Sequence, residues 1–210
     1  SGAPPAQSEP REDERIVKAR EAAGGFTESL PNYIVQQMTT RYYTDSVKAD
    51  WTAQDILSAE VVYENGRESY RNIRIDNKPV KKPLEAVGGS VSHGEFGSTL
   101  ADLFSPGTLA RFSRRSQSRV SGHPAMKYDF EVALPHSHWQ IRYGGQTIRP
   151  AYRGSVWIAL EDARVLRIEM QARQLPEDYP LDAIEWVVEY GSVRIGPNQY
   201  LLPVEAENLA

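Results

Sequence analysis

From Tyr33 to the end of the chain, apolar residues recur at every second position in short runs separated by turn-forming residues. A period of two puts alternate side chains on opposite faces of a strand, so each run predicts a strand with one packed and one wet face. The sharpest run is Met126, Tyr128, Phe130 and Val132, with the charged Lys127, Asp129 and Glu131 between them. Val156, Ile158 and Leu160 make the next apolar face, Glu161-Asp162-Ala163-Arg164 reads as a turn, and Leu166, Ile168 and Met170 return against Arg167 and Glu169. Ile184, Trp186, Val188 and Tyr190 repeat the pattern, and Tyr200, Leu202 and Val204 close it after a turn at Gly196-Pro197-Asn198. Alternation of this kind marks antiparallel strands around one shared apolar face.

The earlier strands are shorter on contrast. Over Tyr33–Tyr43 the apolar Ile34, Met38 and Tyr42 share a parity, and Leu57, Ala59, Val61 and Tyr63 share a face in the following run. Asn65-Gly66 then predicts a two-residue hairpin turn, because both residues tolerate the positive φ that matches the twist of paired strands. The return strand is expected over Arg67–Ile75, ending at Asp76-Asn77-Lys78-Pro79.

Two stretches leave the period of two. Residues 9–23 are rich in helix formers, with acidic residues near the start and Gly24-Gly25 as the expected stop. Ile16, Val17, Ala19, Ala22 and Ala23 give this helix only a thin apolar stripe, which predicts loose packing. Residues 94–104 carry Phe96, Leu100, Leu103 and Phe104 at helical spacing and end at Ser105-Pro106-Gly107, predicting a second short helix. Residues 79–93 between hairpin and helix read as a long flexible loop, and residues 1–10 as a disordered Pro/Ala linker headed by Ser1-Gly2, a cloning remnant. The rest, 11–210, reads as one domain. The expected fold class is therefore mainly β (α+β), with an N-terminal helix and a short helix on a curved antiparallel sheet.

Composition narrows the function more than it points to one. Hydrophobic content of 40% and charged content of 25% suit a folded globular chain. A net charge of −4 with both signs interspersed offers no footprint for nucleic acid. With no cysteine there are no disulfides, thiolate nucleophiles or cysteine zinc sites. No apolar run approaches the ~20 residues of a membrane-spanning helix.

Catalytic signatures are missing: there is no G-x-S-x-G elbow, phosphate loop, dinucleotide fingerprint or H-E-x-x-H. His136 and His138 form an H-x-H pair whose nearest further ligands in sequence are His123, Asp129 and Glu131, but a polar loop accounts for them more simply. His93-Gly94-Glu95 suits helix capping. Glu169, Glu185 and Glu189 fall opposite the apolar parity and read as solvated outer-face residues rather than an acid/base pair. Arg111, Arg114, Arg115 and Arg119 read as an exposed strand face, and Trp139, Trp157 and Trp186 as core anchors. No catalytic, cofactor-binding or metal-binding residue is assigned, and the expectation is a protein that is not an enzyme.

The order of these elements resembles the periplasmic lipoprotein-carrier (LolA/LolB-like) superfamily. The resemblance rests on Val61-Val62-Tyr63-Glu64-Asn65-Gly66-Arg67-Glu68-Ser69-Tyr70, on Gly94-Glu95-Phe96-Gly97, and on Gly154-Ser155-Val156-Trp157-Ile158 running into Arg164-Val165-Leu166-Arg167-Ile168-Glu169-Met170. It implies an unclosed β-barrel over roughly residues 30 to 206, whose concave apolar face is covered by helices and holds acyl chains. On that footing the apolar ligand would be lined by Leu100, Phe104, Tyr128, Phe130, Ile158, Ile168, Met170 and Trp186. The implied partner is a lipid or lipidated protein, with membrane-surface association, no cofactor, a monomeric state, and a place in the periplasm or at the outer membrane after export. The other reading of the same pattern is an envelope interaction or sensor protein whose interior is filled by its own side chains.

Overall fold

The alternating runs assemble into one ten-stranded sheet, described here from a computed structural model covering residues 12–44, 50, 52–65, 67–87, 98–143 and 145–209. In chain order the elements are α1 (Glu14–Ser29), β1 (Tyr33–Tyr43), β2 (Thr52–Glu64), β3 (Arg67–Ile75) and β4 (Lys78–Pro79). They continue with α2 (Ser98–Leu103), β5 (Arg111–Val120), β6 (His123–Val132), β7 (Ile141–Tyr143), β8 (Gln146–Ile148), β9 (Ala151–Ala159), β10 (Val165–Arg173), β11 (Glu185–Ile195) and β12 (Asn198–Leu209). The strand order is β4-β3-β2-β1-β12-β11-β10-β9-β6-β5, with β7 and β8 forming a separate small hairpin. The sheet is curved and does not close, and strand accounts for more than half of the described residues.

All neighbours in the large sheet run antiparallel except β1 and β12, which are parallel and share a single residue pair, Tyr42↔Leu209. That one pair divides the sheet into a four-stranded wing, β4 to β1, and a six-stranded body, β12 to β5. Because the two strands are parallel and meet at their C-terminal ends, the seam between them is unpaired toward Tyr33 and Tyr200.

One apolar cluster holds the structure together. Phe130, Ile168 and Trp186 pack on a single side of the sheet with Val61, Tyr63, Val156, Ile158, Val188 and Leu202, as the alternation predicted. Ile16, Ala19 and Ala23 of α1 and Leu100 and Leu103 of α2 close over them. At ~1.5–3 kcal/mol for each large apolar side chain removed from water, this cluster dominates stability. At Gly154 a Cβ would lie 1.8 Å from the Glu169 carbonyl oxygen and 2.8 Å from Phe130 Cζ. Only glycine lets β9 and β10 approach this closely beneath the Phe130 ring.

The outward parity of the body is a polar ladder. Residues in register across it form the row Arg111–Glu131–Arg153–Gln171–Glu185, in which Arg153 donates to Gln171 and Gln171 to Glu185. In a second row Arg167 pairs with Glu169 at 2.7 Å and also with Glu189, while Trp157 lies between Lys127 and Arg167. Glu185 and Glu189 are therefore spent on cross-strand pairing, and Glu169 on Arg167 along its own strand. Arg115 reaches Asp13 at 2.8 Å and Arg119 donates to the Gly122 carbonyl, so the basic run of β5 serves an edge strand.

Hairpin β2–β3 forms at Asn65 with φ 52°, and β3 spans the residues predicted for it. Several other expectations are corrected. Helix α1 does not stop at Gly24-Gly25 but continues to Ser29, because Ala23 is packed in the core and Leu30 packs against it just beyond; tertiary burial outweighs the local propensity. Nor is α1 loosely held, since Ile16, Ala19 and Ala23 are fully buried. In β1 the packed parity is the odd one. Pairing Tyr33↔Tyr63 and Val35↔Val61 commits those positions to the core side and turns Ile34, Met38 and Tyr42 outward.

Bulges explain the next differences. A register shift between Val165 and Arg167 puts Val165 in the core and sends Leu166 to the outer face beside Trp157. A shift opposite Glu189/Tyr190 leaves Val204 exposed over Gly191, and Leu160 is exposed where the β9–β10 turn begins. The first part of the expected 79–93 loop is ordered: Leu84 and Val87 pack beneath the wing with Leu57, Ala59 and Ile73. The linker expected at 1–10, residues 88–93 and the first residues of the second helix, Phe96 among them, lie outside the described residues.

Candidate apolar binding site

Among the described residues, an apolar-walled cleft fit to take a ligand lies under the second half of α1. It has a volume of about 320 Å³ and is walled by Ala19, Ala22, Ala23 and Gly25 of α1, Leu30, Leu100 of α2, Val165 at the start of β10, and Tyr200 and Leu201 of β12. Arg164 and Gln199 supply its polar rim. The volume falls at the lower end of the range for small-molecule sites, and the walls have the usual character of mostly apolar surface with few polar groups.

Local sequence explains why space is left there. The alanines of α1 allow a close approach to the sheet at Ala19 and Ala23 but supply too little volume to fill the gap between α1 and the first residues of β12. The cleft also lies toward the unpaired end of the β1–β12 seam, because Tyr200 and Leu201 sit at the N-terminal end of β12.

The helix that roofs the cleft is clipped at its other end. Asp13 caps α1 by accepting from the Arg15 amide at 2.9 Å, and Arg15 donates to the carbonyls of Ala159 and Leu160 at 3.1 and 3.2 Å. Arg20 donates to the Phe104 carbonyl at 3.2 Å and pairs with Glu12 at 2.6 Å. That pairing holds the Glu12 carboxyl below the usual carboxylate range. Burial pushes Asp13 upward, yet the Arg15 N–H, Arg115 and the Tyr128 hydroxyl outweigh it and hold the carboxyl low. All these clips lie in residues 12–20, ahead of Ala22, Ala23 and Gly25.

The eight residues predicted to line a ligand are brought together in the main cluster, but there they pack on one another. Of these, Leu100 also lines the cleft. The remaining walls, from α1 and the start of β12, escaped the sequence reading because alanines carry almost no periodicity signal and Leu201 falls off the strand parity.

The histidine pair does not sit on a strand. His136 ends a 3₁₀ turn at Leu134–His136, and two residues on His138 Nδ1 meets Asp102 Oδ1 at 2.7 Å with its side chain 54% exposed. Thr108 holds the same carboxylate, donating from Oγ1 to Asp102 Oδ1 at 3.1 Å and to the Asp102 carbonyl at 2.6 Å. This contact latches α2 to the 133–140 connection. Among the described residues, no group of three or more His, Asp or Glu side chains could hold a metal ion; His93 lies outside them.

Among the described residues, no helix is long and apolar enough to cross a membrane. Trp186 Nε1 and the Tyr33 hydroxyl are among the buried polar atoms that find no hydrogen-bond partner among the described residues. Burial first, then the charge of Glu68, pushes Tyr33 up and keeps its proton on. Comparison of the chain with protein-family models, with curated proteins and with solved structures finds no match.

Proposed function

We propose that the chain is a non-enzymatic envelope protein, exported to the periplasm or outer membrane, that holds an apolar ligand such as the acyl chain of a lipid or lipidated polypeptide. This is the reading implied by the likeness to lipoprotein carriers, and the apolar cleft under α1 is the observation that carries it. The ligand lies beside the main core rather than within it, with its tail against Ala22, Leu30, Leu100 and Leu201 and its polar end toward Arg164 and Gln199. Burying it would remove apolar cleft surface from water at ~25 cal/mol per Å².

The test is mass spectrometry of organic extracts from natively purified protein, comparing wild type with Ala22→Trp. Wild type is expected to yield a defined acyl-bearing species and the plugged variant, equally folded, to yield little. Equal or empty extracts from both would reject the reading.

A second reading has its own observation. Phe130, Ile168 and Trp186 are almost fully buried within one packed cluster, as a filled-core sensor acting through protein contacts would require. Retention of a stoichiometric envelope protein after detergent washing, with an empty lipid extract, would favour it.

A further inference from the structure

Exposed apolar side chains are not scattered evenly on this molecule. Met38 at 67%, Ile34 at 56% and Ile56 at 41% exposure all stand on the outer face of the wing. Register fixes their neighbours. Met38 pairs with Ser58, which pairs with Arg74, and Gln36 pairs with Glu60, which pairs with Arg71. Arg71 and Arg74 therefore stand on the same face as Met38.

The adjoining edge is strongly basic. Residues 67–83 contain six Lys or Arg against two Asp or Glu, in a chain whose net charge is −4. Arg71, Arg74, Lys81 and Lys82 line a groove of about 380 Å³ between β3 and the segment after β4. Lys78, Lys81 and Lys82 are exposed, and among the described residues none is paired with a carboxylate. Arg71 is partly offset by Glu60 at 2.9 Å, and Arg74 donates to the Asn77 carbonyl.

We propose that the outer face of the wing, with its basic edge at residues 71–82, docks on an anionic membrane surface. The charges are complementary to such a surface. Apolar side chains set among the cations are what an interfacial segment needs in order to partition as well as to be attracted. A purely polar acidic partner would leave Ile34, Met38 and Ile56 without a counterpart. Lysines at the β4 edge also discourage edge-to-edge pairing of this sheet with another strand. The proposal deepens the envelope reading by naming the face turned to the membrane, but vesicle binding does not depend on the cleft under α1.

The test is flotation of the full chain with vesicles of mixed phosphatidylglycerol and phosphatidylcholine, and with phosphatidylcholine alone, at low and physiological salt. Two variants separate the contributions: Lys81→Glu with Lys82→Glu, and Met38→Glu, all at exposed positions. Wild type is expected to float with the anionic vesicles only, less so as salt rises. The lysine reversals are expected to weaken binding by roughly tenfold or more. Met38→Glu is expected to lower the bound fraction with circular dichroism and Tm unchanged. Binding by both variants equal to wild type would overturn the proposal. So would absence from anionic vesicles, including the case in which soluble polyglutamate is retained, which would assign the edge to an acidic polymer. Lipid extracts of the cleft are read separately, so an empty extract with intact flotation rejects only the acyl-binding reading.

Discussion

The wing and the body are built from the same kind of strand, yet they are held in different ways. In the body, β12 to β5, the inner side chains are roofed by two helices and the outer ones are linked by cross-strand polar rows. The wing shares the main cluster only at one end, through Tyr33, Val61 and Tyr63. Its other end rests on the smaller cluster of Leu57, Ala59, Ile73, Leu84 and Val87. With one backbone pair at Tyr42↔Leu209, the ladder contributes little cohesion between them. Shared side-chain burial in the main cluster does that work, while within the wing Tyr33 stacks on Tyr63 at 5.1 Å. A further tie within the wing is the buried pair Arg41–Asp55, with Nε to Oδ1 at 2.6 Å. A sheet can thus be continuous in strand order and still consist of two parts of unequal stability.

This contrast can be broken or sharpened by substitution. Phe130→Ala removes a fully buried ring from the common cluster and is expected to cost about 3–5 kcal/mol. Urea unfolding should remain a single transition at a lower midpoint, because both parts depend on that cluster. A variant that loosened the body and left β2–β3 amides protected would refute the shared-core account.

Leu57→Ala acts on the small cluster and is expected to cost about 2–3 kcal/mol. Hydrogen exchange should accelerate in β2 and β3 while β9 and β10 keep their protection. Uniform acceleration would mean that the wing has no independent opening.

The smallest effect is at Asp13, whose replacement by Ala removes the α1 cap and is expected to cost about 1 kcal/mol. Its carboxyl is held low in the folded chain, so the unfolded chain binds the proton more readily. The stabilisation is therefore complete above the ordinary aspartate value of about 3.9 and is lost as pH falls through the lower folded value. Denaturation midpoints of wild type and variant should converge at acid pH; a gap that persisted there would remove the carboxylate from the account.

Much of the body was legible because each strand has one packed and one polar face. Phe130, Ile168 and Trp186 could be placed on a common side from spacing alone. The wing was harder to read. Ile34 and Met38 are apolar but turned outward, and nothing within β1 distinguishes them from core residues. Only pairing with Val61 and Tyr63 decides the parity. The cleft was less legible still, since its walls come from α1, α2, β10 and β12 and several are alanines.

Alternation, turn residues and the breaks at Gly and Pro were enough to determine a mainly β chain with two helical interruptions, because those signals act over a few neighbouring residues. The bulges at Val165–Arg167 and near Glu189, the continuation of α1 through Gly24-Gly25 and the unpaired seam at β1–β12 were decided by tertiary packing. Each depends on the free energy of burying residues far apart in the chain, and no local pattern records that sum.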